Sequence, residues 1–196
     1  MKTSSFLLLF ATTISSFCFL MIAFISCEKE LANSYQNEIN QMPIIGSICG
    51  EIEQKDIIDD QGNAIGLALL YNDTKNFYLY LSLSDSLIVE QTNLHWSQEL
   101  MNFPMDSFHN LDLGNFKFTK REVLPRNSQK IIIPLPQLPS RFYLAAGITF
   151  KNYKNSASGK NIAWIDGIRY GSSYRGKVTA FERKICLTQQ GSTMPD

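Results

Sequence analysis

The chain has 196 residues, with 18 basic and 18 acidic side chains, 44% apolar and 12% aromatic residues, and four cysteines. That composition excludes a disordered chain, which lacks the aliphatic and aromatic content to build a core. It also excludes nucleic acid as a partner recognised through phosphate neutralisation, because no basic excess or stripe is present.

The apolar content is concentrated at the amino end. Residues 1–26 hold a single charge, Lys2, and residues 6–25 are apolar except for Thr12, Thr13, Ser15 and Ser16. This is the pattern of a secretory signal peptide over residues 1–26. It ends in Phe24-Ile25-Ser26-Cys27, a small residue directly ahead of a cysteine, as a lipoprotein signal peptidase requires. Cys27 is therefore the expected lipidation site, and the membrane, held through that lipid anchor, is the first expected partner. Phe24 stands where such motifs usually carry leucine. A 20-residue stretch with only those four polar interruptions is also long enough to span a bilayer uncleaved, so an anchor helix remains the alternative. Residues 27–42, opening with Glu28-Lys29-Glu30 and continuing through Asn33, Ser34, Gln36 and Asn37, read as a flexible tether. The acidic start is similar to surface-export signals of Bacteroidetes-type lipoproteins. The expected location is the outer membrane, with the cell surface favoured over the periplasmic face.

From Ile44 onward, short apolar or alternating runs are separated by Gly, Asn, Asp or Pro, the spacing of strands rather than helices. Strands are predicted over 44–53, 64–71, 77–83, 87–96, 116–119, 130–134, 142–153, 161–170 and 177–186. Between the first two, Asp59-Asp60-Gln61-Gly62-Asn63 has the chemistry of a tight reversal. In the third, Phe77, Leu79, Leu81 and Leu83 share one face, while Tyr78, Tyr80 and Ser82 share the other, half-wet one. Residues 102–139 contain five prolines that cannot donate to a central ladder, so this stretch reads as irregular, with a strand leaving the sheet at Pro134. The loop 154–160 reads as exposed. The predicted fold over residues 43–188 is all-β, an antiparallel two-sheet β-sandwich of eight or nine strands, with a closed β-barrel as the alternative. Residues 189–196 form a polar tail. Cys49 in the first strand and Cys186 in the last are expected to pair, since an exported compartment is oxidising.

Catalytic chemistry is hard to assemble from these residues. His95 and His109 read as surface or loop residues, and without further cysteine or histidine ligands at zinc spacing no metal site is expected. Asp56, Asp59, Asp60 and Asn63 miss the calcium-loop spacing and read as a plain turn. Glu51, Glu53, Asp85, Glu90 and Asp166 offer no evident pair of facing carboxylates for glycoside hydrolysis. Gly46-Ser47-Ile48-Cys49-Gly50 has cysteine where a hydrolase elbow needs serine. No cofactor is expected, and a hydrolase is the weakest reading. The aromatic residues Tyr71, Tyr78, Tyr80, Trp96, Tyr143, Tyr153, Trp164, Tyr170 and Tyr174 can serve either as a platform for sugar rings or as core and sheet surface.

Residues 64–169 resemble a module of secreted and surface lipoproteins of Bacteroidetes whose role is uncharacterised. The resemblance rests on Asn72-Asp73-Thr74-Lys75-Asn76-Phe77-Tyr78, Asn93-Leu94-His95-Trp96, Ile131-Ile132-Ile133-Pro134, Phe142-Tyr143-Leu144-Ala145-Ala146-Gly147 and Ile162-Ala163-Trp164-Ile165-Asp166-Gly167. Gly147 stands where the module usually has histidine, and Asp166 where it has glutamate. The resemblance implies an extracellular β-sandwich and no reaction. Two functions follow as expectations. One is a non-catalytic binding or adhesion domain for a glycan or protein, with Trp164, Asp166, Tyr170 and Asp85 as candidate ligand-binding residues. The other is a structural lipoprotein contacting envelope proteins without a small ligand.

Overall fold

The computed structural model describes residues 48–153, 161–170 and 176–186. The expected signal peptide, Cys27, the tether, the start of the first predicted strand, the 154–160 loop, Tyr174 and the polar tail lie outside them. The described chain forms β1 (Cys49–Asp59), β2 (Ala64–Asn72), β3 (Asn76–Leu83), β4 (Leu87–Ser97), β5 (Phe118–Arg126), β6 (Ser128–Pro134), β7 (Arg141–Asn152), β8 (Asn161–Ile165), β9 (Ile168–Arg169) and β10 (Lys177–Glu182). Three short 3₁₀ turns, Leu100–Asn102, Leu113–Asn115 and Leu135–Gln137, complete it.

The fold is all-β and every ladder between these strands is antiparallel. The strands follow the order β5-β4-β7-β8-β1-β2-β3-β6, with β10 on β7 and β9 on β10. This one continuous sheet curls nearly into a closed barrel, the second of the two arrangements open to the sequence. The ends of the path, β5 and β6, are joined in sequence by Asn127 alone. Side chains bridge the seam between them: Lys120 Nζ donates to the Lys130 carbonyl at 2.8 Å, and Gln129 Nε2 to Glu122 Oε1 at 2.9 Å.

Alternation of side chains fills the interior. Phe77, Leu79, Leu81 and Leu83 of β3 meet Ala68 and Leu70 of β2, Ile131 and Ile133 of β6, and Leu144, Ala146 and Ile148 of β7. Phe77 reaches across to Phe142 and Phe181, with ring centroids 5.5 and 4.8 Å away in edge-to-face geometry. Burying each such ring contributes about 2–3 kcal/mol. Tyr78, expected to be half-wet, is buried, because it stacks on Tyr71 at 4.9 Å and lies under Lys130.

Three predicted boundaries move. β1 runs on to Asp59 instead of stopping at Glu53, since Gln54, Lys55 and Asp56 keep their backbone in the ladder with β2, with Gln54 and Asp56 exposed on its outer face. β5 begins at Phe118 and continues through Pro125, which an edge position tolerates. Arg126 lies opposite Val89 and Arg121 opposite Gln91, so Glu122, Val123, Leu124 and Pro125 together face Glu90 and bulge out of the ladder. The strand predicted over 161–170 breaks at Asp166-Gly167, where a Cβ on Gly167 would lie 2.4 Å from the Val178 carbonyl oxygen of β10.

The irregular stretch has a defined task. Phe103, Leu111 and Phe116 lie over the outer face of the sheet, against Ala145 of β7, Trp164 of β8 and Val178 of β10. Aspartate-based turns shape this cap. Asp106 accepts from the Phe108 and Asn110 amides, and Asp112 from the Gly114 amide and the Asn115 carboxamide. The Asp106 loop repeats the β1–β2 turn, where Asp59 accepts from the Gln61 and Asn63 amides; Gly62 and His109 take the matching positive-φ place, at 90° and 59°. Finally, the expected Cys49–Cys186 disulfide is present and links residues 137 apart.

Candidate functional site

Where the two free edges of the sheet part, the surface opens into a groove of about 520 Å³. Its walls come from the end of β4 (Trp96, Ser97), the residues that follow it (Gln98, Glu99, Asn102), Lys117 just ahead of β5, and the segment after β6 from Pro136 to Pro139. The volume lies within the ordinary range for small-ligand sites, about 300–1,000 Å³.

Trp96 is the centre of this groove and is held on several sides. It follows Leu94 on the inward face of β4 and packs partly against the core. Its indole N–H donates to the Gln137 carbonyl at 3.3 Å. Lys117 Nζ donates to the Trp96 carbonyl at 2.6 Å and sits 5.5 Å from the ring centroid, over the indole face. Ser97 Oγ accepts from the Glu99 amide, turning the chain so that residues 98–102 form one wall. Leu138 is buried beneath. The groove thus offers one indole, one ammonium, one carboxylate and the carboxamides of Gln98, Asn102 and Gln137. Such a set, with the Ser97 hydroxyl beside it, donates and accepts hydrogen bonds in several directions.

The four residues singled out from the sequence are not gathered into one site. Trp164 is only 5% exposed; Phe116 lies edge-on to it at 6.5 Å, so in this conformation the indole presents no face for a sugar ring. Asp166, at the end of β8, pairs with Lys177 at 2.5 Å. That hydrogen bond, with Lys177's charge and the Gly167 amide, holds its carboxyl below the usual range against a modest cost of burial. Tyr170 is half-buried, 5.9 Å from Phe103. Asp85 lies in the β3–β4 turn beside a different hollow, of about 390 Å³, and accepts from the Asn127 carboxamide at 3.4 Å. Leu87 pairs with Asn152 of β7, whereas Trp164 pairs with Gly147, which places Asp85 and Trp164 at different levels of the wall. Trp96 belonged to the wider aromatic set; the signal that marks it is a tryptophan closing a strand, followed by Ser-Gln-Glu and facing a proline-bounded segment.

His95, expected near the surface, is 7% exposed beneath the cap, between Phe103 and Phe116 at 5.1 and 5.5 Å. Burial, reinforced by the charge of Lys117, lowers its pKa to about 4. The Nδ1 of His95 and the Nε1 of Trp164 are buried without a hydrogen-bond partner. Gly147 makes room for the cap: a Cβ there would lie 2.4 Å from Leu113 Cδ2. A histidine side chain at this position would therefore collide with Leu113. The Asp59 carboxylate is taken up by its own turn, including the Asn63 carboxamide at 3.0 Å. Among the described residues no group of three or more His, Cys, Asp or Glu side chains is placed to hold a metal ion. No protein-family model, curated protein or solved structure matches this chain.

Proposed function

We propose that the chain is a membrane-tethered lipoprotein, acylated at Cys27 and displayed from the outer membrane at the cell surface, whose barrel binds a glycan segment in the Trp96 groove without catalysing a reaction. The observation that carries this reading is the groove itself. A single indole is surrounded by side chains that both donate and accept, the match for a ligand with many hydroxyls and weakly apolar ring faces. An acyl chain or a hydrophobic peptide would leave Gln98, Glu99, Asn102 and Lys117 desolvated without partners. To admit a sugar ring, Lys117 swings off the indole face and exchanges its contact with Trp96 for a ligand oxygen.

The test is a glycan array probed with the full-length chain in detergent, followed by titration of the strongest hit. Trp96→Ala is expected to weaken binding about 30-fold, in line with roughly 2 kcal/mol for a central aromatic anchor, while Trp164→Phe leaves it unchanged. Binding that survives Trp96→Ala removes the groove from the function. An array blank throughout, with an envelope protein recovered by cross-linking, favours the structural lipoprotein instead. Mass spectrometry of the membrane-extracted protein checks the tether, through an added diacylglycerol mass on Cys27 that Cys27→Ala abolishes.

A further inference from the structure

The β5 bulge projects aliphatic side chains that the fold does not use. Val123 is 93% and Leu124 59% exposed. The bulge shares Pro125 and Ile88 with two adjoining hollows, one of about 230 Å³ and one of about 390 Å³, the latter also lined by Tyr153. Such a cluster on a surface is a mark of contact with something apolar.

The charge around it is unlike that of the whole chain. Formal charge over all 196 residues is zero, yet β5 and β6 together carry Lys120, Arg121, Arg126 and Lys130 against one acid, Glu122. Nearby, Lys151 and Glu90 neutralise each other at 3.1 Å, and Asp85 lowers the local surplus to about two. Glu122 is engaged by Gln129 and lies 3.6 Å from Lys120.

We propose that the bulge docks on an anionic phospholipid surface. Val123 and Leu124 enter the boundary between headgroups and acyl chains, and the exposed Arg121 and Arg126, which flank the bulge, meet the phosphate charge. The bulge offers two strongly exposed aliphatic side chains rather than the roughly 800 Å² per partner of an ordinary protein interface. A cationic surplus beside exposed aliphatic side chains is what an anionic bilayer attracts at its apolar boundary. The inference rests on the membrane-tethered reading only for bringing a bilayer within reach, and adds a second contact to the tether.

The test uses the full chain in lipid nanodiscs, with the environment-sensitive fluorophore NBD on Leu124→Cys and wild type labelled in parallel to subtract signal from other thiols. In discs containing phosphatidylglycerol, NBD emission is expected to shift to the blue and to be quenched by brominated lipid. In phosphatidylcholine discs, or at high salt, both effects fade. Arg121→Glu and Arg126→Glu are each expected to lower the docked fraction about fivefold. Equal emission in both lipids overturns the proposal. So does a dry probe in lipid-free protein accompanied by cross-linking through residue 124 to a second copy or another protein. Flotation of Val123→Ser/Leu124→Ser with vesicles separates the two membrane contacts. If it still floats, the tether acts on its own; if it sinks while wild type floats, the bulge is the attachment and the tether reading fails.

Discussion

His95 lies under the cap as a neutral imidazole, and its environment sets a pH response. In the unfolded chain its pKa is near 6.5 and in the folded protein about 4, so below pH 6.5 the unfolded state takes a proton that the folded state refuses. Its contribution is complete above about pH 6.5, declines as pH falls, and levels off near 4. The loss is on the order of 2 kcal/mol, discounted for partial screening. Urea denaturation at pH 7 and 4.5 is expected to show it, with the slope between these values flattened in His95→Leu. Below that window Asp166, Asp59, Asp73 and Asp106, all lowered by hydrogen bonds, take over the acid sensitivity. Two glycines differ for a related reason, namely what stands next to them. A Cβ on Gly66 would lie 2.3 Å from the Ser82 carbonyl oxygen and 2.9 Å from Leu83 Cα, backbone atoms fixed in the ladder, whereas the Cβ on Gly147 meets the movable end of Leu113. Gly66→Ala is therefore expected to cost about 3 kcal/mol and Gly147→Ala about 1 kcal/mol, read from urea midpoints.

At the level of elements, the cap formed by residues 98–117 differs most from its appearance in sequence. Its prolines and missing periodicity read as loop, which is true of its backbone. What periodicity cannot display is that Phe103, Leu111 and Phe116 find partners on the outward face of β7, β8 and β10, because a period-two pattern reports alternation and not what covers the second face. For the same reason the alternation does not reveal that Trp164 is covered. Phe116→Ala should uncover this layer, losing about 3 kcal/mol and moving the His95 pKa from about 4 toward 6.5, as followed by NMR titration of its ring. The inward alternation of β3, the exit of the chain at Pro134 and the Asp59 reversal were legible, each resting on a local rule, whereas the Cys49–Cys186 pair was legible from its two cysteines and an oxidising compartment. The Trp96 groove was not. It is assembled from residues 96–102, 117 and 136–139, which come together only when the ends of the sheet approach each other.

For the molecule as a whole, the disulfide binds the start of β1 to the residues after β10, across 137 positions. In the chain-entropy picture a loop this long is worth at most roughly 5 kcal/mol. Cys186→Ala, or reduction in mild denaturant, is expected to lower the urea midpoint accordingly while the circular dichroism in buffer stays that of a β protein. The same bond governs how force travels. A pull delivered through the chain ahead of Cys49 reaches a sulfur that is fastened to the far end of the polypeptide, so the load divides between two anchorages. To peel β1 from β2 one residue at a time, that pull would have to drag Cys186 and its neighbours along. Load entering from the amino side is thus taken up first at one covalent corner, before it reaches the β1–β2 ladder.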